Sequence, residues 1–194
     1  MARGLLLAAL ALVPVVILVV VVLVLVVIRP GGAHEPTPGL TAEAALASPD
    51  GEAIGAVRFL QTSGGVLVIA DIQGLTPGGH AFIIHEVGAC SPNFDAAGDH
   101  FNPTGAEHGF VHSAWQRGGA TEAHGGDLPN IYAAADGSAR ADFFTVGVTL
   151  DMGPAHSIFD ADGSAIVVHE RPDSYGQSEP DTGARLACGV INRT

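Results

Sequence analysis

The longest hydrophobic segment of the chain lies near its N-terminus. Leu5 to Ile28 are 24 residues without a charge, mostly leucine and valine, between Arg3 and Arg29. A helix of this length spans roughly 36 Å, enough to cross the ~30 Å hydrocarbon core of a bilayer. The segment predicts an N-terminal transmembrane helix within residues 1–29. A cleaved signal peptide is the alternative, although its apolar part is usually only about 7–15 residues long. Either reading places the rest of the chain outside the cytoplasm.

The pattern changes twice after this segment. Residues 30–40 carry three prolines and no periodicity, which is typical of an extended tether. Residues 41–194 are long enough to bury one hydrophobic core and are predicted to form a single domain.

Within residues 41–194, six short stretches are rich in β-branched residues and are separated by Gly, Pro, Asp and Asn. They are residues 53–61, 65–72, 80–87, 140–148, 165–169 and 185–191. Short strands without helices between them predict an antiparallel all-β sandwich or barrel, because parallel strands need long crossovers. Residues 91–130 and 171–184 are too long and polar for hairpin turns. Long ordered loops in a compact domain are usually functional.

The net charge of the chain argues against nucleic-acid binding. The 194 residues include 8 Lys+Arg and 20 Asp+Glu, for a net charge of −12, and every basic residue is an arginine. Residues 41–194 alone carry a net charge of −13. A nucleic-acid-binding protein neutralises phosphates with clustered basic side chains, so this class is excluded.

The first long loop contains a candidate zinc site. His100, His108, His124 and Asp127 supply three imidazoles and one carboxylate, which is a ligand set for tetrahedral zinc. Glycines between His124 and Asp127 let the backbone turn tightly. The alternative is that these histidines are solvated loop residues. We expect His112 and His156 to be such surface or turn residues.

Two further histidines end apolar stretches. His85 lies in FIIHEVG and His169 in AIVVHERPD, and each is followed by glutamate. A single strand histidine is usually structural, but two in similar settings favour a second site with imidazole ligands for copper or zinc.

Cys90 and Cys188 are the two cysteines of the chain. In an exported chain they predict one intramolecular disulfide. Two buried free thiols are the alternative.

The order of these motifs resembles the copper/zinc superoxide dismutase family. The resemblance covers residues 41–194 through GLTPGGHAFIIHEVGAC, AGDHFNP, EHG, HGGDLPN, GSAIVVHE and TGARLACGVI. It implies an eight-stranded Greek-key antiparallel β-barrel with a zinc and disulfide loop and an electrostatic loop. It also implies superoxide as the substrate, with copper and zinc as cofactors.

The resemblance also assigns roles to individual residues. It implies that His100 bridges copper and zinc and takes part in catalysis, and that Arg185 guides the anion. Asp173 matches a carboxylate that links the two metal sites, and His80 matches a structural position. The copper ligands would include His85, His100 and His169; the zinc ligands would be His100, His108, His124 and Asp127; and the disulfide would join Cys90 to Cys188.

One position departs from the family pattern Gly-Phe-His-x-His. The corresponding residues are 81–85, so Ile83 replaces the first copper ligand. Side chains two apart on a strand share a face, which places Ile83 beside His85, where it offers no lone pair. The sequence therefore predicts dismutase activity, impaired by the missing ligand. Its alternatives are an inactive zinc-binding module for metal binding or interaction at the cell surface, and a domain that buffers copper. The sequence does not indicate oligomeric state or membrane orientation.

Overall fold

The computed structural model describes residues 36–109, 123–176 and 181–194, and the structural statements below concern these residues. They belong to one compact unit, Pro36–Thr194. The predicted helix within residues 1–29 and His112 lie outside the described residues. No helix within the described ranges has the length and hydrophobicity needed to cross a membrane.

The described residues form ten strands and one short 3-10 helix. The strands are β1 (Thr41–Ala47), β2 (Ala53–Thr62), β3 (Gly65–Ile72), β4 (Gly78–His80), β5 (Phe82–His85), β6 (Ile131–Ala133), β7 (Ala139–Thr145), β8 (Ala165–His169), β9 (Arg185–Val190) and β10 (Asn192–Arg193), and the 3-10 helix covers Phe94–Ala97. The prediction of an all-β domain is confirmed.

The strands form one large and one small antiparallel sheet. The large sheet curls and has the order β5-β8-β9-β1-β2-β3-β7, with β10 beside β1, and the small sheet pairs β4 with β6. Several neighbours are far apart in sequence, such as β5 and β8 or β3 and β7. The first long loop follows β5 and the second follows β8, and these two strands are neighbours in the large sheet.

Buried and exposed side chains alternate along the strands, and the buried ones form the core. In β2, Val57 and Phe59 are buried while Arg58 and Leu60 are exposed, and β3 follows the same period. Every side chain of β5 and β8 is buried. Phe82 and Ile84 of β5 join the main hydrophobic core, so Ile83 and His85 face the other way, toward the candidate metal site.

Each of the six predicted stretches contains a strand, but the pattern missed β1, β6 and β10. The β1 sequence TAEAALA buries alanine and leucine against exposed threonine and glutamate, and alanine and glutamate are depleted in strands generally. The predicted stretch 80–87 divides at Ala81, whose carbonyl accepts a hydrogen bond from the His169 amide at 2.9 Å. The stretch 140–148 ends as a strand at Thr145.

Candidate metal centre

The two halves of the first long loop are held against β5. The Phe101 amide donates to the Ile84 carbonyl at 2.9 Å, the Ile84 amide donates to the Gly126 carbonyl at 3.0 Å, and the Gly126 amide donates to the Phe101 carbonyl at 2.9 Å. A Cβ added at Gly126 would lie 2.2 Å from the Ile84 carbonyl oxygen. Glycine is therefore required by this close approach, and it places His124 and Asp127 beside His100.

Three imidazoles surround the Asp127 carboxylate. His100 Nδ1 lies 2.9 Å from Oδ1, while His108 Nε2 and His124 Nδ1 lie 3.4 and 3.5 Å from Oδ2. His124 Nδ1 is also 3.4 Å from His100 Nδ1. Three of these side chains, those of Asp127, His108 and His124, are buried. The structure thus brings together all four predicted zinc ligands.

Burial and hydrogen bonds act in opposite directions on two of these groups. Burial raises the pKa of Asp127, but hydrogen bonds from His100 and His124 outweigh it and lower the pKa to about 2. Burial lowers the pKa of His108, but the Asp173 carboxylate and the Gly176 carbonyl outweigh it and raise the pKa to about 9. Asp127 is therefore a carboxylate at neutral pH, as a metal ligand must be.

The spacing and chemistry of these donors fit zinc. Ligands 2.0–2.1 Å from a tetrahedral zinc ion lie about 3.3 Å from one another, close to the separations found here. One donor atom each from His100, His108 and Asp127 lies within 4.8 Å of the other two. In addition, His108 Nε2 is buried without an aligned hydrogen-bond partner, although it lies 3.0 Å from Asp173 Oδ2.

The predicted copper ligands lie beside this group. His85 Nε2 and His169 Nε2 are 3.2 Å apart, and the His85 and His100 ring centroids are 5.3 Å apart. The Nδ1–H of His85 donates to the Gly98 carbonyl at 2.9 Å, which leaves Nε2 with its lone pair. His100 thus lies beside both groups of histidines.

Both of these histidines are neutral at physiological pH. Burial lowers the pKa of His85 to about 3, with the charge of Arg185 adding to the effect. Burial, the neighbouring His100 and Arg185 lower the pKa of His169 to about 4. Metal ligation requires the unprotonated imidazole, so neither side chain has to lose a proton before it binds a metal.

Ile83 is fully buried and lies in register with Val167 of β8. It shares the face of β5 that carries His85, and its backbone forms a bridge with Asp127. The imidazoles of His85, His100 and His169 are donors that suit copper, and Ile83, on the face of β5 that carries His85, adds no donor to them.

The three histidines open onto a cleft of about 560 Å³. Arg185 lines it and is fixed by hydrogen bonds to the Phe94 carbonyl at 2.6 Å and to the Gly98 carbonyl at 2.7 Å. Glu86 and Asp99 line the same cleft. Among the described residues, Arg185 is thus the one arginine of the cleft lining, which it shares with two acidic side chains.

Two residues of the site carried no signal in the sequence pattern. The Thr182 hydroxyl lies 2.9 Å from His169 Nδ1. The Asn130 side chain accepts a hydrogen bond from the Asp173 amide at 2.8 Å and donates one to the Asp173 carbonyl at 2.9 Å. Each hydrogen-bonds a residue far away in the sequence, 13 positions for Thr182 and 43 for Asn130. The periodicity of a single strand therefore does not reveal them.

The remaining cysteine and histidine predictions have direct outcomes. Cys90 and Cys188 form a disulfide across 98 residues, so the alternative of two free thiols is wrong. His80 is buried, and its Nδ1 and Nε2 lie 2.7 Å from the carbonyl oxygens of His169 and Thr76. His156 is exposed.

Comparison with known proteins gives a consistent result. The family model for copper/zinc superoxide dismutase (SODC) matches residues 53–191. A superoxide dismutase [Cu-Zn] from Caulobacter vibrioides is 42% identical over 164 residues, covering 78% of this chain and 85% of the relative. Superoxide dismutase [Cu-Zn] 2 from Aquifex aeolicus is 40% identical over 156 residues, covering 78% and 86%.

A solved structure extends the comparison to the fold. The crystal structure of a SOD-like protein from Bacillus subtilis has a TM-score of 0.67 and 33% sequence identity, and the match covers 76% of this chain and 96% of that one. From the family match, these relatives and the shared fold, we conclude that the chain belongs to the copper/zinc superoxide dismutase family.

Proposed function

We propose that this protein is a superoxide dismutase whose activity is impaired at its copper site. The observation that carries the proposal is the shared position of His100, between the predicted zinc ligands and the pair His85–His169. When bound, copper supplies the one-electron chemistry by which two superoxide anions and two protons become oxygen and hydrogen peroxide.

The side chains of the cleft have distinct parts in this proposal. Arg185 is held rigidly by two carbonyls and offers positive charge to an approaching anion. His100 is the group that would pass a proton to the reduced anion. Glu86 and Asp99 oppose the field of Arg185, so we expect weaker steering than an uncompensated arginine provides.

Zinc would be held by His100, His108, His124 and Asp127 and would fix the long loop against β5. Asp173 supports this group through His108, at 3.0 Å. We also propose that the curled sheet and the β4–β6 sheet together form the eight-stranded Greek-key barrel, in which β4 and β5 count as one strand interrupted at Ala81 and the two-residue β10 is not counted.

A second candidate function is a zinc-stabilised module without dismutase activity. Ile83 favours it, because an apolar side chain occupies the position of a ligand. It would act in metal binding or interaction at the cell surface.

For localisation, we propose an extracytoplasmic domain anchored to the membrane by Leu5–Ile28. The Cys90–Cys188 disulfide fits an oxidising compartment. The 24-residue apolar segment is long enough to span a bilayer.

Metal analysis together with a superoxide assay separates the candidates. The full chain, purified in detergent and loaded with copper and zinc, should bind both metals and consume superoxide more slowly than a family member with four copper-binding histidines. Zinc at one equivalent, without copper and without activity, would establish the inactive module. Bound copper without turnover would identify a copper-buffering domain and also overturn the dismutase proposal.

A further inference from the structure

Exposed hydrophobic side chains are concentrated at one end of the large sheet. Among the described residues, six large hydrophobic side chains are exposed, and two of these, Tyr132 and Tyr175, lie elsewhere. The other four we call the tether face: Leu60 (36% exposed), Phe144 (56%), Val146 (54%) and Met152 (68%).

Strand register places three apolar residues of this region side by side. Leu60 of β2 lies opposite Leu67 of β3, and Leu67 lies opposite Phe144 of β7. Residues directly opposite on neighbouring strands project from the same face, with Cβ atoms about 4.5–5.5 Å apart. Val146 follows two residues after Phe144. The outer surface of the sheet therefore ends in an apolar row.

The chain joins the domain at this same end. The Gly39 amide donates to the carbonyl of Gln61, the residue after Leu60, at 2.9 Å. The Thr37 amide donates to the buried carboxylate of Asp151, the residue before Met152, at 2.8 Å. The last residues of the tether are thus hydrogen-bonded to Gln61 and Asp151, the chain neighbours of Leu60 and Met152.

We propose that the tether face rests on the surface of the lipid bilayer. This inference depends on the membrane anchor proposed above. The chain from Arg29 to Thr37 can extend by at most about 30 Å, roughly twice the ~15 Å radius of gyration expected for a domain of this size. The anchor would therefore keep the tether face at a high effective concentration near the bilayer. A small apolar contact is then enough to hold this face on the bilayer surface.

The net charge of residues 41–194 favours one kind of lipid surface. Residues 41–194 carry a net charge of −13, which disfavours approach to an anionic surface. The exposed charges two residues along the strands from the apolar row are of both signs, Arg58 on β2 and Asp142 on β7. Farther along the strands, Arg140 forms an ion pair with Asp71 at 3.1 Å. A zwitterionic surface is therefore the bilayer that the tether face fits.

Site-directed spin labelling of the full chain in phosphatidylcholine vesicles tests the proposal. Cys90 and Cys188 are paired, so the variants Phe144→Cys and Leu60→Cys each add one reactive thiol. Tyr132→Cys is the matched control, because Tyr132 is 70% exposed on the small sheet. We expect the ratio of oxygen to nickel-chelate collision rates to be severalfold higher for labels at 144 and 60 than at 132.

The outcomes are distinguishable. A chain that floats with the vesicles but shows equal ratios at 144, 60 and 132 overturns the tether-face contact and leaves the anchor intact. A chain that does not float with the vesicles overturns the anchor and this inference together. Dipolar broadening between labels at 144 identifies a second copy of the chain as the occupant of this face, which also overturns the bilayer contact.

Discussion

Substituting histidine for Ile83 is the sharpest test of the proposed copper site. Ile83 is fully buried on the face of β5 that carries His85. An imidazole at this position would add a fourth nitrogen donor to the set formed by His85, His100 and His169. Because partners that only orient a ligand change metal affinity by about 10–100-fold, we expect a direct ligand to raise copper affinity by more than this.

The same substitution has a cost in the metal-free protein. Removing a fully buried isoleucine loses about 1.5–3 kcal/mol of hydrophobic stabilisation, and a buried polar group without a partner costs about 1–3 kcal/mol. We expect Ile83→His to lower the free energy of unfolding by about 2.5–6 kcal/mol without copper. Ile83→Gln is the matched control, because it places a polar group of similar size there without an imidazole.

Two measurements give the result. Denaturant unfolding with and without copper should show similar losses for both metal-free variants, and recovery with copper for Ile83→His alone. Competition with a chelator should show the rise in copper affinity for the same variant alone. Equal copper affinity in the wild type, Ile83→His and Ile83→Gln would refute the placement of residue 83 at the copper site.

Three further predictions concern the zinc group, the copper group and the disulfide. Asp127→Asn should lower zinc affinity by more than about 100-fold in chelator competition, because it weakens a proposed direct ligand that three imidazoles contact. Thr182→Val should lower copper affinity by about 10–100-fold without changing zinc affinity, because His169 Nδ1 loses its hydroxyl partner. Replacing both Cys90 and Cys188 by serine should lower the free energy of unfolding by about 2–5 kcal/mol in a denaturant titration, because the bridge closes a loop across 98 residues.

Matched variants control these three experiments. Asp99→Asn changes an acidic side chain of the cleft outside the zinc group, and its zinc affinity should equal that of the wild type. Thr182→Ser keeps the hydroxyl and should retain copper affinity; a loss equal to that of Thr182→Val would contradict the hydrogen-bond explanation. Wild-type protein with its disulfide reduced should unfold like the double serine variant, and an unchanged stability in both would contradict the loop-closure argument.

The sequence alone determined the all-β class and most of the strands. Strands such as β2 and β3 alternate between buried and exposed residues, and this period of two is visible without any knowledge of the fold. It failed at β1, where Ala42 and Ala44 are buried although alanine is a poor strand former. Their side chains are buried because they pack into the main hydrophobic core, which is a tertiary contact.

The sequence likewise indicated which residues are candidates for metal binding, because the ability of an imidazole or a carboxylate to bind a metal is a property of the side chain itself. The family pattern identified Ile83 as the position where a copper-binding histidine is replaced. The spacing of two residues to His85 places both side chains on one face of a strand. The fold decided which donors meet: Gly126 brings the loop against Ile84, and this close contact lies next to the residue, Asp127, that reaches His100.

Other features exist only in the tertiary structure. The Asn130 side chain holds Asp173 across 43 residues, and the Thr182 hydroxyl reaches His169 from the second long loop. The row from Leu60 through Leu67 to Phe144 depends on the register of three strands. Local patterns report the chemistry of a side chain and the face it occupies. Distances between segments far apart in the chain are set by strand pairing and loop path, so only the folded structure decides them.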